Sequence, residues 1–100
     1  MATNERQSIS DRIAELQRAL PIAMKERRRR FLEACAYFAL ADPDAFGKDF
    51  DLGLDAKDTA ALDGALDLFT EASAMVLKLR TEIRDKETVR KAAEDRGLAL

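Results

Sequence analysis

Hydrophobic residues recur at spacings of three and four along the first part of the chain. The members of this stripe are Ile9, Ile13, Leu16, Leu20, Met24, Phe31, Ala34 and Phe38. At roughly 100° per residue they fall on one side of a helix, which predicts a first helix over residues 5–41, with Ser8 placed to cap its start. Pro21 lies inside this helix. Because proline lacks a backbone N–H and clashes one turn back, we expect a kink or a break there, and the unbroken phase of the stripe favours the kink.

A second amphipathic segment occupies the C-terminal half and predicts a helix over residues 56–96. Asp55 and Asp58 are suitable N-cap residues, and Gly97 is suited to the position just after the helix. The apolar residues of this segment cover an arc of roughly 200° rather than a narrow stripe. They are Leu62, Ala65, Leu66, Leu68, Phe69, Ala72, Met75, Val76, Leu77 and Leu79.

An acidic stretch, residues 42–55, separates the two helices. Pro43 disfavours helical geometry at the residue before it, so the first helix should end there. We expect the stretch to fold back as an ordered lid that carries Phe46 and Phe50, because long connections are packed or functional. Its aspartates indicate helix caps and a solvated face, or a surface for a basic partner. Calcium binding is a weaker alternative, since Phe46 and Gly53 occupy positions where an EF-hand needs acidic or amide ligands.

These elements predict an all-α fold in a single domain spanning residues 1–100. Two long antiparallel helices form a hairpin, and the first helix is kinked near Pro21. The apolar arc of the second helix is wider than one neighbouring helix covers, and soluble monomers avoid large exposed apolar patches. We therefore expect two hairpins to associate into a homodimeric four-helix bundle, or a different protein to cover the same surface.

Composition removes several kinds of chemistry. The chain has 17 basic and 19 acidic residues, a net charge of −2, one cysteine and no histidine. A histidine-based triad, a histidine metal site and an intrachain disulfide are therefore impossible, and we expect no catalytic residue, cofactor or metal. Cys35 reads as a small buried hydrophobe in a reducing cytoplasm. The polar N-terminus and the short apolar runs predict a cytoplasmic protein without a signal peptide or membrane span.

The most conspicuous motif is a basic run at residues 25–30 that contains Arg27, Arg28, Arg29 and Arg30. Arg27 falls in phase with the apolar stripe, so it must snorkel, find an acidic partner or mark a distortion near Pro21. The charge balance favours ion pairing of the run with Asp67 and Glu71, within one hairpin or between subunits. The alternative is contact with nucleic-acid phosphates.

The sequence favours a non-catalytic protein–protein interaction module, such as a small oligomeric helical adaptor, a chaperone, or an inhibitor of the kind that phages and plasmids carry. The alternative is a nucleic-acid-associated regulator that contacts phosphates through its arginines. The candidate partner-binding residues are Arg27, Arg28, Arg29, Arg30, Phe46, Phe50, Leu66, Phe69 and Met75.

Overall fold

The computed structural model describes residues 8–40 and 53–98 and places them in two helices. Helix α1 spans Ile9–Phe38 and helix α2 spans Ala56–Asp95. The side-chain contacts pair Arg12 with Glu82 and Phe31 with Phe69, so α2 runs antiparallel to α1. Within the described ranges there is no strand. The predicted all-α helical hairpin is confirmed, and α1 and α2 pack against each other.

Both helices begin at the caps that the sequence predicts. The Ser8 hydroxyl oxygen accepts a hydrogen bond from the Asp11 N–H at 3.0 Å, so α1 begins at Ile9 rather than near residue 5. Asp55, not Asp58, caps α2, and its carboxylate accepts from the Asp58 N–H at 2.7 Å. Each cap satisfies a backbone donor that the first turn of a helix leaves unpaired.

Helix α2 ends in a Schellman motif at Gly97. The Gly97 N–H donates to the Glu94 carbonyl at 3.0 Å, and the Leu98 N–H donates to the Ala93 carbonyl at 2.8 Å. This geometry needs a left-handed residue, and Gly97 has a φ of 73°. The prediction that Gly97 follows the helix is confirmed.

Helix α1 continues through Pro21 without interruption, so the alternative of a break is wrong. Pro21 lies on the exposed side of the helix. The ring removes one backbone hydrogen bond there, while the turns on either side keep theirs. The helix ends at Phe38, about one turn before the predicted end, with Ala39 as its C-cap.

The core between the helices is small. Its buried members are Ile13, Leu16, Ala34, Leu62, Ala65, Val76 and Ala93. Ala34, Leu62 and Ala65 form a cluster near the turn, against which Tyr37 and Leu54 pack. The molecule measures 65 × 31 × 16 Å, so its thinnest dimension is little more than one helix with its side chains. It is therefore a single layer of helices, whereas most domains are built from two or more.

Two remaining predictions meet the described residues only in part. Of the predicted lid, residues 53–55 are described, and Phe46 and Phe50 lie outside the described ranges. Cys35 is half-buried rather than fully buried, and its thiol is free. In the described part of the chain, neither helix contains a stretch apolar enough to cross a membrane.

Candidate functional site

One broad side of the helical layer carries aromatic and aliphatic side chains from both helices. The rings of Phe31 and Phe69 lie 5.7 Å apart at an interplanar angle of 53°, a tilted contact. Phe31 is nevertheless half exposed, and helical phase places Leu66 and Leu77 beside Phe69 on the same side. We call this surface, formed by Met24, Phe31, Leu66, Phe69 and Leu77, the aromatic face.

The opposite broad side contains an open groove of about 850 Å³. Its apolar lining residues are Ala19, Ile22, Ala23, Leu32, Met75 and Leu79. Ile22 is 73% exposed and Met75 is 48% exposed, so the groove has an apolar floor that is open to solvent. Lys25, Arg28 and Arg29 contribute to the lining and give the groove a basic rim.

A second depression of about 510 Å³ lies closer to the turn. From α2 it is lined by Ala61, Gly64, Ala65 and Leu68. Residues 61, 65, 68, 75 and 79 follow a heptad-like spacing, so both depressions open along one seam of α2. We call this side, with the groove and the second depression, the groove face. A Cβ added at Gly64 would meet nothing within 4 Å.

A ladder of ion pairs along α1 separates the groove from the second depression. Glu26 accepts from Arg29 at 2.8 Å and from Arg30 at 2.9 Å, and Glu33 accepts from Arg30 at 3.1 Å. The hydrogen bond from Arg29 lowers the pKa of the Glu26 carboxyl, and the same bond raises the pKa of Arg29. The ladder therefore neutralises much of the basic run locally.

This ladder corrects the predicted pairing of the arginines. In the described part of the chain, Asp67 and Glu71 form no ion pair with the basic run, and both are exposed. Glutamates three and four residues away on the same helix are nearer partners for Arg29 and Arg30.

Arg27 and Arg28 behave differently from their neighbours in the run. Among the described residues neither has an ion-pair partner, and Arg28 is exposed whereas Arg27 is half-buried. The half-buried position without a partner fits a side chain whose stem packs on apolar surface while its guanidinium reaches water, the first of the three expectations for Arg27.

The sequence-predicted site residues are divided between the two faces. Leu66 and Phe69 belong to the aromatic face, Met75 to the groove face, and Arg28 and Arg29 to the rim of the groove. The apolar arc of α2 is thus two surfaces, separated by the side that packs on α1. The candidate residues from the sequence do not include Ile22 and Leu32 of α1, although both are apolar residues outside the main stripe, which was the available signal.

No group of three or more cysteine or carboxylate side chains in residues 8–40 and 53–98 is placed to hold a metal ion. The Arg12 side chain donates a hydrogen bond to Glu82 at 3.1 Å, and this bond raises the pKa of Arg12. The ion pair joins α1 to α2 away from the centres of the two faces. The two faces therefore provide apolar surface that is bordered by charged side chains.

Comparison of the chain with protein-family models, with curated proteins and with solved structures finds no match to any of them.

Proposed function

We propose that the protein is a non-catalytic protein-binding module that works by presenting the two faces of its helical layer to other protein surface. The observation that carries this proposal is the exposure of apolar side chains on both sides of the layer. Among the described residues, twelve large apolar side chains are more than a third exposed, whereas only seven apolar residues are buried. Soluble proteins keep contiguous apolar patches small unless the patch binds something.

The aromatic face has the composition of a binding surface. Aromatic and methionine side chains are enriched in the centres of protein interfaces, where they bury a large area at little conformational cost. Phe31 and Phe69 already hold each other in place through their ring contact, so part of the ordering cost of binding is met before a partner arrives.

The alternative of phosphate binding has less support. Arg29 and Arg30 are engaged by Glu26 and Glu33, so a phosphate would compete with carboxylates that lie within hydrogen-bonding distance. Arg28 and Lys25 remain exposed. These two cations of the basic run, on a chain of net charge −2, make a small electrostatic footprint for nucleic acid at the run.

Site-specific photocrosslinking in the cells that naturally make the protein tests the proposal. The photoreactive residue p-benzoylphenylalanine is placed at Ile22 in the groove face, at Leu77 in the aromatic face, and at Asp63 on the outer side of α2 as the matched control. We expect covalent protein adducts from Ile22 or Leu77, and none from Asp63, because binding needs the apolar faces. Equal adducts at Asp63, or no protein adduct at any site, would refute the proposal.

A further inference from the structure

We propose that the groove face is covered by a second copy of this chain, in a twofold dimer that completes a four-helix bundle. The inference rests on the proposed function and names one partner for one of its two faces. It commits to an axis parallel to the helices, so that α2 of each copy lies on α1 of the other. The area, the seam and the charges each support it.

The exposed area of the chain exceeds what a compact monomer shows. Its accessible surface is 7739 Å², whereas a folded monomer of 11.2 kDa is expected to expose roughly 5,700 Å². The excess of about 2,000 Å² is more than the roughly 800 Å² per partner that a stable interface of standard size buries. One additional helical layer on one face therefore covers part of the surplus and leaves the rest on the aromatic face.

The seam of α2 on the groove face has the spacing and the residue sizes for close helix packing. Leu68, Met75 and Leu79 supply the large side chains, and Ala61 and Gly64 supply the gaps. Glycine inside a helix costs about 1 kcal/mol relative to alanine. Gly64 faces open space within its own chain, so no intrachain contact accounts for a glycine there. The close approach of a neighbouring helix along the seam would account for this glycine.

Charge complementarity sets the orientation. Phe31 lies opposite Phe69 within the hairpin, so residue 29 of α1 lies at about the level of residue 71 of α2. A twofold axis parallel to the helices preserves these levels and brings Glu71 of the second copy to the basic rim at Arg29 and Arg28. In the described part of one chain Glu71 has no ion-pair partner. The predicted pairing of the basic run across subunits therefore becomes a proposed pairing with Glu71 of the second copy.

The first experiment measures the mass of the purified full chain in solution by light scattering. We expect about 22.4 kDa, which is twice 11.2 kDa. Met75→Asp should give the monomer mass, because it places a carboxylate on the apolar floor of the groove. The matched control is Leu77→Asp, which places the same carboxylate on an exposed apolar residue of the opposite face and should leave the dimer intact. A monomeric wild type, or a dimer that Leu77→Asp dissociates and Met75→Asp does not, overturns the inference.

A second variant remains informative if Met75→Asp does not fold. Gly64→Lys improves helix propensity and meets no neighbour within its own chain, so the hairpin should keep its helical circular dichroism. It should nevertheless raise the dissociation constant of the dimer by about tenfold or more, because the lysine occupies the centre of the seam. An unchanged dissociation constant contradicts the proposed face.

Charge reversal tests the orientation. Glu71→Arg should weaken the dimer about fivefold, and adding Arg28→Glu, at an arginine outside the ion-pair ladder, should restore part of the loss. If the double variant is weaker than both single variants, the helices do not pair in this orientation and the inference fails in that respect. Photoadducts to other proteins together with a monomeric wild type would overturn the dimer and leave the proposed function standing.

Discussion

The Glu26 carboxylate is the one acidic group within the basic run of residues 25–30. It accepts from two arginines of its own helix, and the hydrogen bond from Arg29 lowers its pKa below the ordinary value of 4.5. These contacts are made at a partly exposed surface, where each ion pair contributes little to stability. Their main consequence is electrostatic, since they leave Arg28 and Lys25 as the exposed cations beside the groove.

The lowered pKa of Glu26 predicts a specific dependence of stability on pH. A carboxyl whose pKa is lower in the folded than in the unfolded state stabilises the fold above its unfolded pKa, and this contribution is lost as the pH falls through the folded pKa. We expect Glu26→Gln to flatten the fall of the melting temperature below about pH 4.5. Arg29→Gln should flatten it as well, since it removes the same hydrogen bond. A full wild-type acid slope in both variants would show that the ladder is not formed in solution.

At the scale of single elements, local chemistry decides where the helices begin and end. Ser8, Asp55 and Gly97 each satisfy backbone groups that the helix leaves unpaired. All three could be predicted because capping depends on the residue type at one position and on the few residues after it. The start of α1 was predicted four residues too early because the polar residues before Ser8 are compatible with a helix and include Thr3 and Asn4, which are also suitable caps.

Pro21 disfavours the helix in which it lies. Proline inside a helix costs about 3 kcal/mol relative to alanine, and here the side chain is exposed, so its replacement removes no core contact. We expect Pro21→Ala to raise the free energy of unfolding by up to about 3 kcal/mol in urea titrations followed by circular dichroism. Pro21→Gly should gain about 1 kcal/mol less, since glycine lacks the ring clash but is a poor helix former. A loss of stability in Pro21→Ala would mean that the packing of α1 on α2 requires the distortion at residue 21.

At the scale of the whole molecule, the hairpin is a layer with two apolar sides and a thin core. Its long dimension of 65 Å and its thickness of 16 Å leave most side chains within reach of solvent. The aromatic face and the groove face are therefore both available for association. A dimer through the groove face leaves the aromatic face exposed, and that face is then available to a different protein.

The net charge and the ion-pair ladder together predict weak binding to polyanions. We expect the protein to elute from heparin below about 200 mM salt, because the net charge of −2 opposes binding to a polyanion, so few counterions are displaced and the salt dependence is shallow. Arg28→Ala together with Arg29→Ala should change the elution position only slightly. Strong retention that these two substitutions abolish would instead favour the phosphate-binding alternative.

The periodicity of the sequence was sufficient to predict two antiparallel helices, their caps and the excess of apolar surface, because each of these follows from residues close together in the chain. The division of that surface into the aromatic face and the groove face could not be predicted in this way. Whether Leu66 and Met75 share a face, and which of them lies beside the basic run, depends on where α1 lies against α2. Only tertiary packing decides these relations, since helical phase orders the side chains around one axis but does not orient that axis against its neighbour.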